Sequence, residues 1–556
     1  MSQMFESLEG RQLFATVKFT DVPHASKNYP SVASTTGNLT ADEVRTILAQ
    51  AASQMRPTQA VAVSDREGFI LGIFAGPQAT DATITAAAVR ARTGGYFQST
   101  QNAFSTRTAR FIIQDHFPTP VKNTPGGPLY GVEFSTLRGS DIVSALQTPG
   151  VSGDPGGLPL YKRQGRTFVP VGGIGVAGDG SDVAARSEFA SPGQKVFKGR
   201  EESDFDEAVA LAGQIGFKPP SNITANNIFL PGTGLRFPYV RNKAARINPT
   251  RTLDQLIADG AGSIASSSFL QKDATVVASV PPAFPTATFS NVPGQLKNTT
   301  VSGFGIIASD DTDAGSALLP ESQRLTVADV EQAISQAVDQ AIVTRAAIRL
   351  PIGSSAAVHV AVVDRDGTVL GVFRMNDGTN FSFDVAVQKA RTAAFFSDDT
   401  HAFSTRAVGF MSQKFFPAGI DGGTTGPLFL VQNELSLNAG NLQAPLANGI
   451  TIFPGGVPLY KNGVLVGAIG ISGDGVEQDD IIALRGADGK QPSRFIRSDS
   501  LSSGEIRSFI TGKVTFLRNN FTFSFDPVAN AEARFAVANL QDFRLPYIKE
   551  PRAFRR

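Results

Sequence analysis

The chain has 556 residues and a formal net charge of +1, with 41% hydrophobic and 18% charged residues. This is the composition of a globular protein of several cores, and near-neutrality argues against nucleic acid or an anionic membrane as a broad electrostatic partner. There is no cysteine, which excludes disulfides, thiolate metal sites, iron–sulfur clusters and cysteine nucleophiles.

The first residues lack the basic and apolar regions of a secretory signal, and no apolar run reaches the ~18 residues of a membrane span. Phe5 to Leu13 nevertheless look like a short N-terminal motif of exported bacterial proteins, with Gly10 where that motif carries proline. Export and cytoplasmic residence both stay open. Residues 1–38 are read as an N-terminal extension.

A helix is expected from Thr40, whose side chain can cap it, with acidic residues in its first turn. A strand at Ala60–Val63, a turn at Arg66-Glu67-Gly68 and a second strand at Phe69–Phe74 read as a hairpin. Thr83–Phe97 reads as a second helix, and Ser105 as the cap of a short third one. A Gly/Pro-rich stretch leads to strands around Gly157–Lys162 and Gly173–Val176, then to a further helix after Asp204.

The same order recurs. Leu325-Thr326 opens a helix in which Val327, Val330, Ala333, Ile334 and Val338 keep helical spacing. Val358–Val363 and Thr368–Phe373 form the second hairpin around Asp364-Arg365-Asp366-Gly367. Phe383–Phe396 is the counterpart of the second helix, and Gly456–Lys461 and Val464–Ile471 are the later strands. Ala103-Phe104-Ser105-Thr106-Arg107 returns identically as Ala402-Phe403-Ser404-Thr405-Arg406. Gly157 to Lys162 returns at Gly456 to Lys461 in the same register, and Gly127-Pro128-Leu129-Tyr130 faces Gly426-Pro427-Leu428-Phe429. The chain is an internal duplication. Copy one spans 39–246 and copy two 325–556. Residues 247–324, rich in Ser, Thr, Asp and Gly, read as a linker or a β-rich extension. Residues 487–543 extend copy two, with Val514–Leu517 and Phe521–Phe525 strand-like. The first copy carries an insertion that includes Ser187–Glu201. The expected class is α+β: two tandem modules, each an antiparallel sheet with packed helices.

Several runs, in order, resemble the GlcG/HbpS family of haem-binding and haem-degrading domains. They are Val360 to Gly367, Phe373-Arg374-Met375-Asn376-Asp377-Gly378, Ala386 to Ala393, Gly455 to Leu459, Gly467 to Gly473, and Glu477-Gln478-Asp479-Asp480. The resemblance covers the core of both copies. It implies profilin-like modules, a small-molecule ligand such as haem or another carboxylated molecule, and an oligomeric habit in which the two copies pair as an internal pseudo-dimer. Copy one matches less well, with Ala75-Gly76 where copy two has Arg374-Met375.

Haem is usually held by His, Met, Cys or Tyr. The histidines are His24, His116, His359 and His401, and none has a histidine counterpart in the other copy. His359 reads as a partly buried, hydrogen-bonded sheet residue, and His401 as a solvated loop residue. The residues best suited to hold a carboxylate are Arg90, Arg92 and Thr93 in copy one and Lys389, Arg391 and Thr392 in copy two. The alternative places them on a solvated helix face. Arg107 and Arg406, in the repeated Phe-Ser-Thr-Arg segment, either reach a ligand from a pocket lip or follow a helix cap. Met375 completes the set of ligand-binding candidates. The Gly-rich runs Gly172–Gly180 and Gly467–Gly475 do not continue into a Lys-Ser/Thr helix start, so they are turns and not phosphate loops. Asp204, Asp206 and Glu207, like Glu477, Asp479 and Asp480, favour a helix N-terminus and could hold a divalent cation. No serine–histidine–acid arrangement is readable. A non-enzymatic ligand-binding protein is expected, with an enzyme acting on haem or a small acid and an exported interaction protein as the rivals.

Overall fold

The computed structural model describes residues 37–112, 151–180, 203–229, 236–246, 251–267, 273–280, 284–297, 305–309, 319–413, 416, 426–429, 444–520 and 545–548. The exported-type motif, His24, His116, Gly127–Tyr130, the insertion Ser187–Glu201 and Phe521–Phe525 lie outside these residues.

Copy one begins with α1 (Ala41–Ala52). Thr40 caps it in a capping box with Glu43, which satisfies two of the amide groups that a helix start leaves unpaired. Strands β1 (Ala60–Asp65) and β2 (Ile70–Ala75) form a hairpin, followed by α2 (Asp81–Tyr96), the short α3 (Thr106–Ile112), β3 (Gly157–Gln164), β4 (Thr167–Ala177) and α4 (Phe205–Gly213). The next segment contributes α5 (Leu253–Ala258), β5 (Ser263–Ile264), β6 (Thr286–Phe289) and β7 (Val292–Leu296). Copy two repeats the plan with α6 (Val327–Val343), β8 (His359–Asp364), β9 (Val369–Met375), α7 (Ser382–Phe395), α8 (Thr405–Met411), β10 (Gly456–Lys461), β11 (Val464–Ser472) and α9 (Val476–Gly486), and α10 (Ser503–Asn520) follows.

The sheets run β3-β4-β1-β2-β5 and β10-β11-β8-β9-β7-β6, every pairing antiparallel. The first four strands of each have the same order, and the same one-residue slip falls in both hairpins, at Val63/Ser64 and Val362/Val363. Within 247–324, β5 adds to the first sheet and β6–β7 to the second.

Alternation along the strands divides each module into two cores. Val61 and Val63 pack with α1 and α4, while Ala60 and Ala62 pack with α2. In copy two, Val360 and Val362 join α6 and α9, and Ala361 and Val363 join α7. Small residues set how closely α2 and α7 approach their sheets. A Cβ on Gly175 would lie 2.1 Å from the Ala87 carbonyl oxygen, and one on Gly470 would lie 2.0 Å from that of Ala386.

Val514–Leu517, expected as strand, is helical within α10. Ser502 and Glu505 start that helix with reciprocal side-chain and backbone hydrogen bonds, and Ile506 and Ile510 anchor its first turns in a core with Phe403 and Leu545. A capped start and an anchored face outweigh the β-propensity of four residues.

The two copies touch through the end of α2 and the start of α7. Phe97 stacks on Phe381 at 4.5 Å, the Leu350 amide donates to the Gln101 carbonyl at 3.0 Å, and the Thr100 amide donates to Asp377 at 2.8 Å. Among the described residues the contact is not reciprocal. The copy-one turn residues Arg66 and Glu67 are buried, whereas their counterparts Arg365 and Asp366 are half-buried. A two-fold pair would bury both turns equally.

Candidate functional site

Where the copies meet, the β1–β2 turn of copy one enters a pocket of charge formed by copy two and by Lys297 of the segment before it. The Asp65 side chain accepts from the Phe69 amide at 2.9 Å, and Gly68 takes φ +91°, so the turn projects Arg66 and Glu67 outward. Glu67 is then held twice. The Lys297 ammonium, just beyond β7, donates to one carboxylate oxygen at 2.7 Å, and the Arg374 guanidinium, on β9, donates to the other at 2.7 Å. Burial alone would raise the Glu67 pKa, but Lys297 and Arg374 outweigh it and hold the carboxyl well below its usual range. Burial, with Arg374 nearby, brings Lys297 down to about 8 against the pull of Glu67.

The rest of the cluster braces these groups. Arg374 also donates to the Gly378 carbonyl at 2.8 and 3.1 Å, and Arg66 donates to the same oxygen at 3.2 Å. Arg349 bridges Asp377 at 2.8 Å and Asp474 at 2.5 Å. Burial works against its charge, yet the two carboxylates raise its pKa above the ordinary value.

His359 opens β8 directly opposite Arg374. It is 0% exposed, and its ring stacks on Phe383 with centroids 6.1 Å apart. Neither ring nitrogen has a hydrogen-bond partner. Burial first, then the charges of Arg374 and Lys297, push its pKa well below 6.5, so the imidazole is neutral and retains a nitrogen lone pair. The sequence reading of a hydrogen-bonded sheet histidine is corrected on this point: the residue is in the sheet and buried, but unpaired. A buried polar group left unpaired costs ~1–3 kcal/mol, so this one calls for an explanation, a ligand being one.

The candidates drawn from the sequence lie elsewhere, most of them in matching arrangements in the two copies. Arg90 pairs with Asp206 and Lys389 with Asp479, both at 2.8 Å, and each also donates to a carbonyl of the sheet, Val176 or Ile471. Arg107 binds Glu207 through two nitrogens at 3.0 and 3.1 Å. Arg406 binds Asp480 at 2.5 Å and Glu477 at 3.2 Å. Arg92 donates to the Tyr96 hydroxyl at 2.7 Å, and Arg391 to the Gly367 carbonyl at 2.8 Å. Thr93 and Thr392 accept from the Ser152 and Thr451 amides. The solvated-face alternative is corrected: Arg90, Arg92, Lys389 and Arg391 are all buried, because α7 is buried throughout and α2 from Ala87 to its end. Met375 is buried with α6 and α9, on the other face of the sheet from His359. His401 is a loop residue beside Asp398, at 3.1 Å.

Sequence reasoning missed Glu67, Lys297 and Arg374 as a group. One signal pointed to Arg374 and to the neighbouring His359: the copies differ there, with Ala60 facing His359 and Ala75 facing Arg374.

Comparison with known proteins matches residues 38–186 and 325–488 to a family described as "Haem degrading protein HbpS-like", together more than half of the chain. The corrinoid adenosyltransferase PduO of Salmonella typhimurium is 31% identical over 140 residues, 25% of this chain and 34% of PduO, so the chain spans about a third of that relative. An uncharacterised 15.0 kDa protein from the dhaT–dhaS intergenic region of Citrobacter freundii is 32% identical over 126 residues, 23% of this chain and 70% of that protein. Among solved structures, a complex of PduOC with haem is 27% identical, covers 30% of this chain and 93% of its own, and gives a TM-score of 0.21. On the strength of the two matched regions, the chain belongs to the HbpS-like family, in two tandem copies.

Proposed function

We propose that this chain is a tandem ligand-binding protein whose site is the junction of Lys297, Arg374 and His359, and that it takes haem or another carboxylated small molecule. One observation carries the reading. A carboxylate, that of Glu67, already occupies the two cations Lys297 and Arg374 at 2.7 Å each, beside a buried imidazole with no partner. Glu67 thus marks the chemistry this pocket accepts: an anion held by a lysine and an arginine. A ligand carboxylate competes with it directly.

The donor set fits haem, the group in the family's description. His359 offers a neutral nitrogen of the kind that ligates haem iron, Phe383 offers an aromatic wall, and Lys297 and Arg374 offer cations for propionates. Haem would supply redox and oxygen chemistry. The protein's own part is to keep the imidazole unprotonated, to hold the carboxylates and to exclude water. Lys297 and Arg374 are only 1% and 2% exposed, so entry of a large ligand requires the copy-one turn to withdraw. Copy one has alanine at both equivalent positions, Ala60 and Ala75, so one site per chain is expected.

The test is a haemin titration followed by absorbance, with the wild type, His359→Ala and Glu67→Gln, alongside calorimetric titration with small carboxylates. A saturable Soret shift at one haem per chain, altered by His359→Ala and tightened by Glu67→Gln, supports haem at the junction. Carboxylate binding without a Soret response supports the site with a different ligand. No saturable binding of either kind, in any of the three proteins, overturns the proposal.

A further inference from the structure

A second group of acids lies at the other end of the copy-one sheet, where β4 meets α4. Asp179 follows β4 in a turn whose flanking glycines, Gly178 and Gly180, take φ +109° and +90°. Asp204 caps α4, one of its oxygens accepting from the Glu207 amide at 3.1 Å. Asp206 stands in the first turn of that helix. One carboxylate oxygen from each of the three lies within 4.8 Å of the other two.

Three acids together are not a site in themselves. The second observation is Asp204: it is 1% exposed, and its Oδ2 has no hydrogen-bond partner. The duplicated copy shows how the fold answers such an acid when it is meant to be neutralised internally. The counterparts of Asp179, Asp204 and Asp206 are Asp474, Glu477 and Asp479. Arg349 binds Asp474 at 2.5 Å, Arg406 binds Glu477 at 3.2 Å, and Lys389 binds Asp479 at 2.8 Å. In copy one Arg90 takes Asp206, but Arg107, the counterpart of Arg406, is spent on Glu207. Asp204 is left with no salt bridge. An unpaired buried carboxylate is costly, and the cost is relieved by taking up a proton, by a paired charge or by a bound metal ion.

We propose that Asp179, Asp204 and Asp206 bind one hard divalent cation of the calcium, magnesium or manganese class. The donors are all oxygen, which suits those ions and disfavours softer metals. Both Asp206 oxygens already accept hydrogen bonds, from Gln59 at 2.5 Å and Arg90 at 2.8 Å, so Asp206 contributes one oxygen and water completes the shell. Asp179 is half-buried and gives the ion its approach from solvent. Copy two, with a cation of its own on each acid, binds none here.

The experiment titrates the metal-stripped full-length chain with Mn²⁺ and reads free Mn²⁺ by electron paramagnetic resonance. One Mn²⁺ per chain is expected, displaced by excess Ca²⁺ or Mg²⁺. Asp204→Asn keeps an oxygen for the helix cap and weakens binding at least tenfold, and Glu477→Gln leaves it unchanged. Should Asp204→Asn lose its far-UV circular dichroism, Asp179→Asn carries the comparison. No saturable site in the wild type at millimolar free Mn²⁺, equal binding by the Asp204→Asn protein, or loss of binding on Glu477→Gln overturns the proposal.

Discussion

Replacing Glu67 by alanine tests how the two copies are joined. The carboxylate lies between two cations, each 2.7 Å away and each at most 2% exposed on its side chain. Removing it leaves Lys297 and Arg374 buried without a counter-charge. Breaking a buried pair by deleting one partner costs ~3–5 kcal/mol. Lys297 limits the loss, because its pKa is already down to about 8 and a further fall lets it shed its proton. For a module of this size ~1 kcal/mol is worth ~2–4 °C in midpoint, so a fall of about 10 °C in the transition of copy two is expected by differential scanning calorimetry. The double variant Glu67→Ala, Arg374→Ala removes one of the orphaned charges, and its loss should fall short of the sum of the two single losses by at least ~1 kcal/mol. A Glu67→Ala midpoint within 2 °C of wild type, or strictly additive losses, would refute the claim that this carboxylate is what balances the pocket.

Asp65→Asn tests the pH dependence. Burial, reinforced by the Glu67 charge, raises the Asp65 carboxyl from 3.8 to about 7, so the folded chain holds this proton more tightly than the unfolded chain. The resulting stability is present in full below pH 3.8 and is lost as pH rises towards 7. Urea midpoints at pH 5 and pH 8 should therefore differ less in Asp65→Asn than in wild type, and an unchanged difference would count against the assignment. Lys389→Ala should cost ~3–5 kcal/mol in chemical denaturation, since Asp479 is left buried without its cation; a loss below 1 kcal/mol would show that the pair is not structural. Gly470→Ala should abolish soluble expression, because the new methyl group meets the Ala386 carbonyl carbon and oxygen on a packed helix, whereas Gly463→Ala, with nothing within 4 Å, should be tolerated apart from the strain of its φ of +82°.

Much of the fold was legible because its signals are local. The capping residues Thr40 and Thr326 are where spacing and side-chain chemistry put them, and both hairpins turn at the Asp-Gly and Glu-Gly positions. The duplication then doubled every weak signal. The site was not legible, for a physical reason: Glu67, Lys297 and Arg374 are far apart in the chain and meet only because one module's turn enters the other. Lys297 also sits in a segment with no counterpart in the repeat. The repeated basic residues on α2 and α7 give the opposite kind of signal. Arg90 and Lys389 tie each helix to an acid at the start of α4 or α9, while the residues that differ between copies, His359 and Arg374, belong to the proposed site. Val514–Leu517 shows the limit of a four-residue pattern, since what decides its state is a cap a dozen residues earlier.

The most direct test of the junction as the ligand site is nuclear magnetic resonance of the chain labelled with ¹⁵N only in its four histidines, with His359→Ala to assign the signals. Without ligand, the His359 ring should be neutral at pH 6.5, where an ordinary imidazole is half protonated, because its pKa is depressed. On adding haemin or the best-binding carboxylate, the His359 signals should shift or broaden at one equivalent while that of His401 holds still. A ligand that binds in saturable fashion and leaves the His359 signals untouched would place the site elsewhere and contradict the account.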